Sequence, residues 1–488
     1  MRPVAGTPDG YPPRRRRTRG HARWRALLAL GVAAAMTETA AAPAGAQGSP
    51  LRSSAVAVAP LRSSAVAVVF PNTPAGKQAT WLVGALRHWP IPTAQIKAHF
   101  DSAVLDVLPP TELNATLKGV TALQVDSVTS STPTVIVFVV TVNGVTKLTV
   151  IVAVDSRGLI GGLHFQPAGA QPTAPPVPST WAAVDRMMRS VAPQVRFLVA
   201  SLSSTGACQP LQGAGATTPA PLGSAFKLYV LDALARAVAT GRVSWAQELT
   251  VNSQVKSLPS GILQNDPDGT HLSVQQVASG MISISDNTAE DMLATLLGRS
   301  VVEDATKASG MADPALDVPF LTTRELFVLK LDDWPKLARR YLALGTSGRL
   351  ALLGSTLDHE PLDAAALPGW TAPRDIDTLE WFASPSDICR VFASLAAFAK
   401  QPKLAPVASV LSLNPGGMDL PRGQWRSVWF KGGSEPGVLT LNYMATTNRG
   451  QSYVVSVLAA DPTAPISQTA ATLTLISAIK GAFELAAR

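Results

Sequence analysis

A serine followed three residues later by a lysine on one helical face can run acyl transfer, because an uncharged amine one turn away can take the hydroxyl's proton. Three such pairs occur here: Ser224/Lys227, Ser253/Lys256 and Ser477/Lys480. Chance supplies about one match in a chain of this length, so context must separate them. Ser224 follows Pro221-Leu222-Gly223 and opens an apolar helix. Free N–H groups and the helix dipole in that first turn favour a developing oxyanion. Ser253 sits in a polar stretch broken by Pro259 and Gly261, and reads as a surface residue with Lys256. Ser477 falls inside the last helical segment, where no N–H is free and nothing downstream completes a site.

Two further motifs follow Ser224 in order. Ser285-Asp286-Asn287 stands just ahead of a helical pattern at Thr288–Leu297, with a chance expectation of about 0.03. Lys431-Gly432-Gly433-Ser434 falls on a strand expected at a sheet edge, and Lys-Gly-Gly has a chance expectation of about 0.07. Taken singly, Lys227 also reads as a paired structural lysine, Ser285-Asp286-Asn287 as a helix cap and the glycines as a bulge. Their conjunction in this order outweighs those readings.

The elements that must position these residues are legible in outline. From Trp181 a helix (Trp181–Val191) leads to a strand (Val195–Leu202) and a short apolar return, and the Ser224 helix runs to about Ala239. Helical segments dominate to about residue 400, including Ser386–Phe398. Three strands (Arg426–Ser434, Val438–Ala445, Gln451–Ala459) and a helix (Ile466–Ala486) close the chain. Strands at both ends with helices between predict one antiparallel sheet built from both termini. Residues 78–166 predict a separate small α+β unit. It has helices at Thr80–His88 and Thr93–Val104, an interruption at Pro109-Pro110, and strands at Thr121–Val128, Thr134–Val142, Thr146–Val154 and Leu159–Phe165. Asn143-Gly144 between two β-branched runs signals a tight hairpin. The proline-rich stretch 167–180 reads as a stiff linker.

Composition narrows the function classes. Of a net charge of +8 over 488 residues, the eight arginines and two acids of residues 1–46 account for all but about +2, so the basicity belongs to a leader and not to a nucleic-acid face. Clustered arginines, an apolar run at Ala26–Met36 and Ala44-Gly45-Ala46 read as a cleavable secretory signal at 1–46. Residues 47–77 form an arm holding a duplicated Leu-Arg-Ser-Ser-Ala-Val-Ala-Val. No other stretch suits a membrane span, and no cysteine closely follows the apolar run to carry a lipid. The six histidines show no ligand spacing, so neither metal nor cofactor is expected. Cys208 and Cys389 lie far apart in sequence and are expected as separate buried thiols.

On these motifs, and on "GRVSWAQELTV", "LSVQQVASGMISISDNTAEDML" and "LTTRELFVLKL", residues 181–488 resemble the class A-like members of the serine β-lactamase and penicillin-binding superfamily. The resemblance implies an α/β/α sandwich beside an all-helical lobe, with the site at the sheet's edge strand. It implies Ser224 as nucleophile and Lys227 as base, its pKa lowered by nearby positive charge and burial. Ser285 then relays a proton to the leaving nitrogen, and Lys431 supplies positive potential. Asn287, Gly433 and Ser434 bind substrate, and the backbone N–H groups of Ser224 and Ser434 form the oxyanion hole.

The chain departs from the family pattern in two places. Position 432 is glycine where a hydroxyl residue usually grips the substrate carboxylate, and Ser434 is a possible substitute on the same side of the strand. The segment Met311–Leu321 has no Glu-x-x-Leu-Asn to activate a hydrolytic water, only Asp313 and Asp317, while Glu290 and Asp291 read as structural. The insertion 332–382, with Trp370 and Trp381, is a candidate roof, with simple packing the commoner role for its aromatics. The whole arrangement resembles the Cpe/LpqF two-domain type found in clavulanic acid gene clusters, which joins an NTF2/steroid-isomerase-like domain to a β-lactamase-like one. That resemblance implies weak penicillin turnover and cephalosporin-esterase-like activity on small β-lactam-like or ester substrates. A resistance β-lactamase, an acylated sensor and a peptidoglycan carboxypeptidase are the competing readings. Asp101, Asp106 and Glu112 are candidate pocket carboxylates of the N-terminal domain, with surface or capping roles the commoner fate.

Overall fold

The computed structural model describes residues 68–488 apart from 102–103, 106–108, 121–122, 156, 169–173, 356 and 358–359, so the leader, most of the arm and Asp106 lie outside the described residues. The chain forms two compact units that divide after Ala168.

In the first unit, helix α1 (Pro74–Leu86) begins earlier than the apolar pattern predicted. Thr73 caps it by accepting a bond from Gly76 N at 3.0 Å, and Pro74 takes the first turn, where no N–H is needed. Helices α2 (Thr93–His99) and α3 (Pro110–Leu117) follow. The sequence reading took Pro109-Pro110 only as an interruption, yet Pro110 starts a helix for the same reason that Pro74 does. Strands β1 (Leu123–Ser131), β2 (Val135–Val142), β3 (Thr146–Val154) and β4 (Ile160–Pro167) make a four-stranded antiparallel meander in chain order. Asn143 and Gly144 turn the β2–β3 hairpin with φ of 52° and 71°, the positive values that a two-residue turn requires. Leu82 and Leu86 of α1 pack with Ile136, Phe138, Val140, Val150 and Val152 in a core of the unit's own. Asp101 is ion-paired with Arg157 at 2.5 Å, and Glu112 lies exposed in the first turn of α3, where the helix dipole favours it. Surface roles fit both.

The second unit is mixed α+β, an antiparallel sheet with helices on both faces. Helix α4 (Trp181–Arg189) precedes β5 (Gln194–Leu202) and β6 (Cys208–Ala214). A 3-10 turn at Gly223–Phe226 enters α5 (Lys227–Ala239), whose residues are nearly all buried, making it the axis of the unit. Next come α6 (Val274–Ser283), α7 (Asn287–Leu297), α8 (Arg299–Ala308) and α9 (Thr323–Leu331). Helices α10 (Lys336–Leu342) and α11 (Thr346–Ser355) lie in the insertion. Helices α12 (Pro385–Ala399) and α13 (Pro406–Ser412) lead to β7 (Trp425–Glu435), β8 (Val438–Thr447), β9 (Ser452–Ala460) and α14 (Gln468–Ala486). The five-stranded antiparallel sheet runs β7-β8-β9-β5-β6, drawn from both ends of the unit, with the Lys431 strand at one edge. Val184, Leu475 and Phe483 of α4 and α14 cover one face, while α12 and α13 pack against the other.

The two cysteines do not stay apart. Cys208 on β6 and Cys389 on α12 form a disulfide, with Cα atoms 6.3 Å apart across a separation of 181 residues. Chain distance misled the reading because α12 returns to the β6 end of the sheet. Closing so long a loop restricts the unfolded chain and contributes about 3–5 kcal/mol. Reduction, or Cys208→Ser, should therefore lower Tm by roughly 5–10 °C in calorimetry. Equal Tm values with and without reductant, together with two titratable thiols, would refute the bridge.

Candidate active site

The turn that carries Ser224 is held against the edge strand by two glycines. Gly223 has φ of 49°, and a Cβ there would fall 2.8 Å from Ser434 N. A Cβ on Gly433 would fall 2.6 Å from Ser224 N and 2.2 Å from Leu222 O. The backbones of Ser224 and Ser434 therefore approach as closely as chains can, and their N–H groups gather in one small region. Thr440 on β8 fixes the approach by donating to Leu222 O at 2.8 Å. Trp381 lies beneath the turn, with its ring stacked on Phe226 at 3.6 Å and its carbonyl accepting from Leu222 N. Its role is the packing one that is commoner for aromatics of the insertion.

Lys227, the first residue of α5, is fully buried. Its Nζ donates to Asn287 Oδ1 at 2.5 Å, Ser285 O at 2.6 Å and Ser285 Oγ at 3.4 Å. Lys431 on β7 donates to the same Ser285 Oγ at 2.9 Å and to Gly432 O at 2.7 Å. Ser285, with φ of 59°, thus presents one hydroxyl to two lysines. Asp286 holds that turn in place: its carboxylate accepts from Ala289 N, Ile262 N and Leu263 N at 2.9, 2.6 and 2.9 Å. Asn287 is buried, and its Nδ2 donates to Leu258 O at 2.9 Å. One Nδ2 hydrogen remains, so its first task here is to hold Lys227. Ser224 is half-buried, and Ser434 is exposed on β7. Among the described residues no hydrogen bond joins Ser224 Oγ to Lys227 Nζ, because three acceptors around Ser285 and Asn287 already take the ammonium's hydrogens.

The structure brings Ser224, Lys227, Ser285, Asn287, Lys431, Gly433 and Ser434 into one neighbourhood. Ser253 is exposed, and Lys256 is paired with Asp268. Ser477 is buried within α14. Among the described residues no cluster of three or more His, Cys, Asp or Glu could hold a metal ion, and no helix is long and apolar enough to cross a membrane.

The family described as "Beta-lactamase enzyme family" matches residues 180–480, well over half the chain. The chain belongs to that family. A second family, "ORF 12 gene product N-terminal", matches residues 70–160. No curated protein matches. Among solved structures, the chain is similar to β-lactamases from Sphaerobacter thermophilus, Chitinophaga pinensis and Francisella tularensis. Sequence identities are 19%, 18% and 12%, with TM-scores of 0.45, 0.42 and 0.44. The matches cover 63%, 63% and 62% of this chain and 98% of each of those chains.

The electrostatics of this β-lactamase-family site differ from the sequence reading in one respect. Burial brings Lys227 down to about 8, but its charged neighbours, Glu290, Asp286 and Asp291, are carboxylates that resist the shift. Positive charge acts instead on Lys431, which burial first and the Lys227 ammonium second hold well below the ordinary lysine range. Glu290 and Asp291 do anchor the start of α9 through Thr323 N, at 3.0 and 2.8 Å. Burial raises the pKa of both, and the neighbouring Asp291 carboxylate raises that of Glu290 further. Their second effect, on Lys227, had no signature in the sequence beyond their place one turn past the Ser-Asp-Asn motif. Of the loop acids, Asp317 is buried and accepts from Phe382 N at 2.8 Å, and Asp313 is exposed.

Proposed function

We propose that the C-terminal unit is a serine hydrolase that forms an acyl-enzyme on Ser224 with β-lactam-like molecules or related esters. The observation that carries this reading is the Ser285 hydroxyl set between Lys227 and Lys431 beside the nucleophile's turn. In acylation, Ser224 Oγ bonds to the substrate carbonyl carbon and its proton passes to the neutral amine of Lys227. The oxyanion is received by the N–H groups of Ser224 and Ser434. The C–N or C–O bond then breaks, and Ser285 gives its proton to the leaving atom and regains one from the lysines. Asn287 offers its remaining N–H to the substrate's side-chain amide, and Lys431 faces the substrate carboxylate.

Release of the acyl group needs a base for water. Asp317 is committed to Phe382 N, so hydrolysis of penicillins is slow and ester-type substrates of the cephalosporin-esterase kind are handled better. A role in clavam metabolism fits that chemistry. A sensor that remains acylated is the second reading, favoured by the same committed carboxylate. The N-terminal unit, a meander with helices, is an NTF2/isomerase-like domain in this proposal. Export through the arginine-rich leader accords with the disulfide, since such bridges persist in oxidising compartments.

Intact mass spectrometry after mixing with penicillin and cephalosporin panels, followed by peptide mapping, tests the reading. A one-to-one adduct mapped to Ser224, cleared slowly for penicillins, is the expected result. An adduct on another residue, or steady hydrolysis with no trapped species for every substrate, would overturn it.

A further inference from the structure

Three charged residues far apart in sequence meet behind the oxyanion hole. Lys330 on α9 is completely buried, and its Nζ lies 2.5 Å from Glu435 Oε1 and 3.7 Å from Glu380 Oε1. Glu380 Oε2 accepts from Gly223 N at 3.1 Å and from Trp381 N at 3.0 Å. Gly223 immediately precedes Ser224, and Glu435 immediately follows Ser434. A continuous polar chain therefore runs from one side of the oxyanion pair to the other: Gly223 N, Glu380, Lys330, Glu435.

We infer that Lys330, Glu380 and Glu435 are positioning residues, forming a buried clamp that holds the N–H groups of Ser224 and Ser434 at the spacing acylation requires. The clamp deepens the acyl-transfer reading and rests on it. Two carboxyls around one ammonium leave a net negative charge if both ionise, which a buried site resists strongly. Burial first, and the Glu380 carboxylate next, push Glu435 up to about 8 against the pull of Lys330. Glu380 Oε1 is buried without a hydrogen-bond partner, the place where a proton on Glu435 would be received. The other charged groups around the trio are Arg374, whose guanidinium donates to Lys330 O at 2.6 Å, and Asp317, whose buried carboxyl is held well above the usual range by burial and by Glu380 among its neighbours. Trp370 closes the remaining side, its ring 5.6 Å from Lys330 Nζ.

The sign of the pH effect follows. Below about pH 8 Glu435 keeps its proton and the clamp is closed. Above it, two carboxylates repel across Lys330 and the turn loosens from β7. Acylation thus loses its geometry on the alkaline side even as Lys227 becomes a better base.

The test compares the wild type with the E435Q and K330M variants between about pH 6 and 10. It reads the acylation rate with a chromogenic cephalosporin, and amide hydrogen exchange in peptides covering 222–226 and 433–436 corrected for intrinsic rates. In the wild type, acylation should fall and exchange rise above about pH 8 to 9. E435Q, whose amide keeps a donor and cannot ionise, should lose that alkaline limb in both readouts. K330M should lower acylation by about 10²-fold with little change in KM, because transition-state alignment is lost and binding is not. If K330M does not fold, E435Q alone decides. Wild-type pH profiles of both acylation and exchange in E435Q would refute the clamp. Were the wild type never acylated, the acyl-transfer reading would fail, and the exchange profile would still judge the clamp separately.

Discussion

Ser224→Ala is expected to leave no covalent adduct with any β-lactam, and Lys227→Met to lower the acylation rate by about 10³-fold, within the range general bases supply. Methionine nearly fills the lysine's volume and removes only the amine, so the fold should survive. The size of the effect comes from where Lys227 stands. It is fully buried, it is tied to Ser285 and Asn287, and burial has brought it to about 8 while three acids hold it up. Below that value most molecules carry the ammonium, which donates three hydrogens and accepts none. The neutral fraction, and with it acylation, should rise about tenfold per pH unit up to about 8 and then level until the clamp opens. A stopped-flow pH profile checks this. Lys431 supplies the alternative: it shares Ser285 Oγ, is itself held well below the ordinary lysine range by burial, and offers a path for the Ser224 proton through Ser285. If Lys227→Met kept the wild-type rate and profile, Lys431 would be the base.

The parts of this site legible in the sequence sit at the ends of regular elements. Ser224 and Lys227 announce themselves because a helix start concentrates free N–H groups, and Ser285 because Asp286 is a capping residue. Lys431 falls on the edge strand that the sequence predicts over Arg426–Ser434 and that runs Trp425–Glu435. In the first unit, strand runs and the Asn143-Gly144 turn were enough to lay out the meander. What stayed hidden depends on contacts between distant segments. Cys208 and Cys389 meet only because α12 packs back across the sheet. Lys330, Glu380 and Glu435 lie on a helix, an irregular insertion and a strand, with no spacing that could mark them as partners. The source of the Lys227 shift was likewise invisible, because sign and distance of neighbouring charge are properties of the folded core. The packing of Trp381 on Phe226 is the commoner fate of an aromatic in an insertion, but which ring it would meet is a property of the folded core.

Gly433→Ala should be the most damaging single-methyl change in the site, lowering acylation by at least about 10²-fold. The new Cβ would sit 2.2 Å from Leu222 O, 2.6 Å from Ser224 N and 2.8 Å from Ala225 N, all backbone atoms that cannot swing aside. Relief requires the Ser224 turn to move away from β7, and that turn is also held by Thr440, Trp381 and Glu380, so the strain is shared with the core. A displacement near 1 Å is enough to take the Ser224 N–H out of line with a developing oxyanion, a change worth about two orders of magnitude. Gly432, one residue earlier, supplies the contrast. A Cβ there meets chiefly the tip of the Phe430 ring at 2.8 Å, a side chain that can rotate, and Thr440 O at 3.1 Å. Gly432→Ser should therefore fold with a modest loss and restore the hydroxyl that the family usually carries there, lowering KM for substrates with a carboxylate. Parallel measurements of acylation rate and KM on the two variants separate the effects. Equal, small losses in both would mean that the turn has slack, and that the approach of Ser224 to Ser434 does not set the rate.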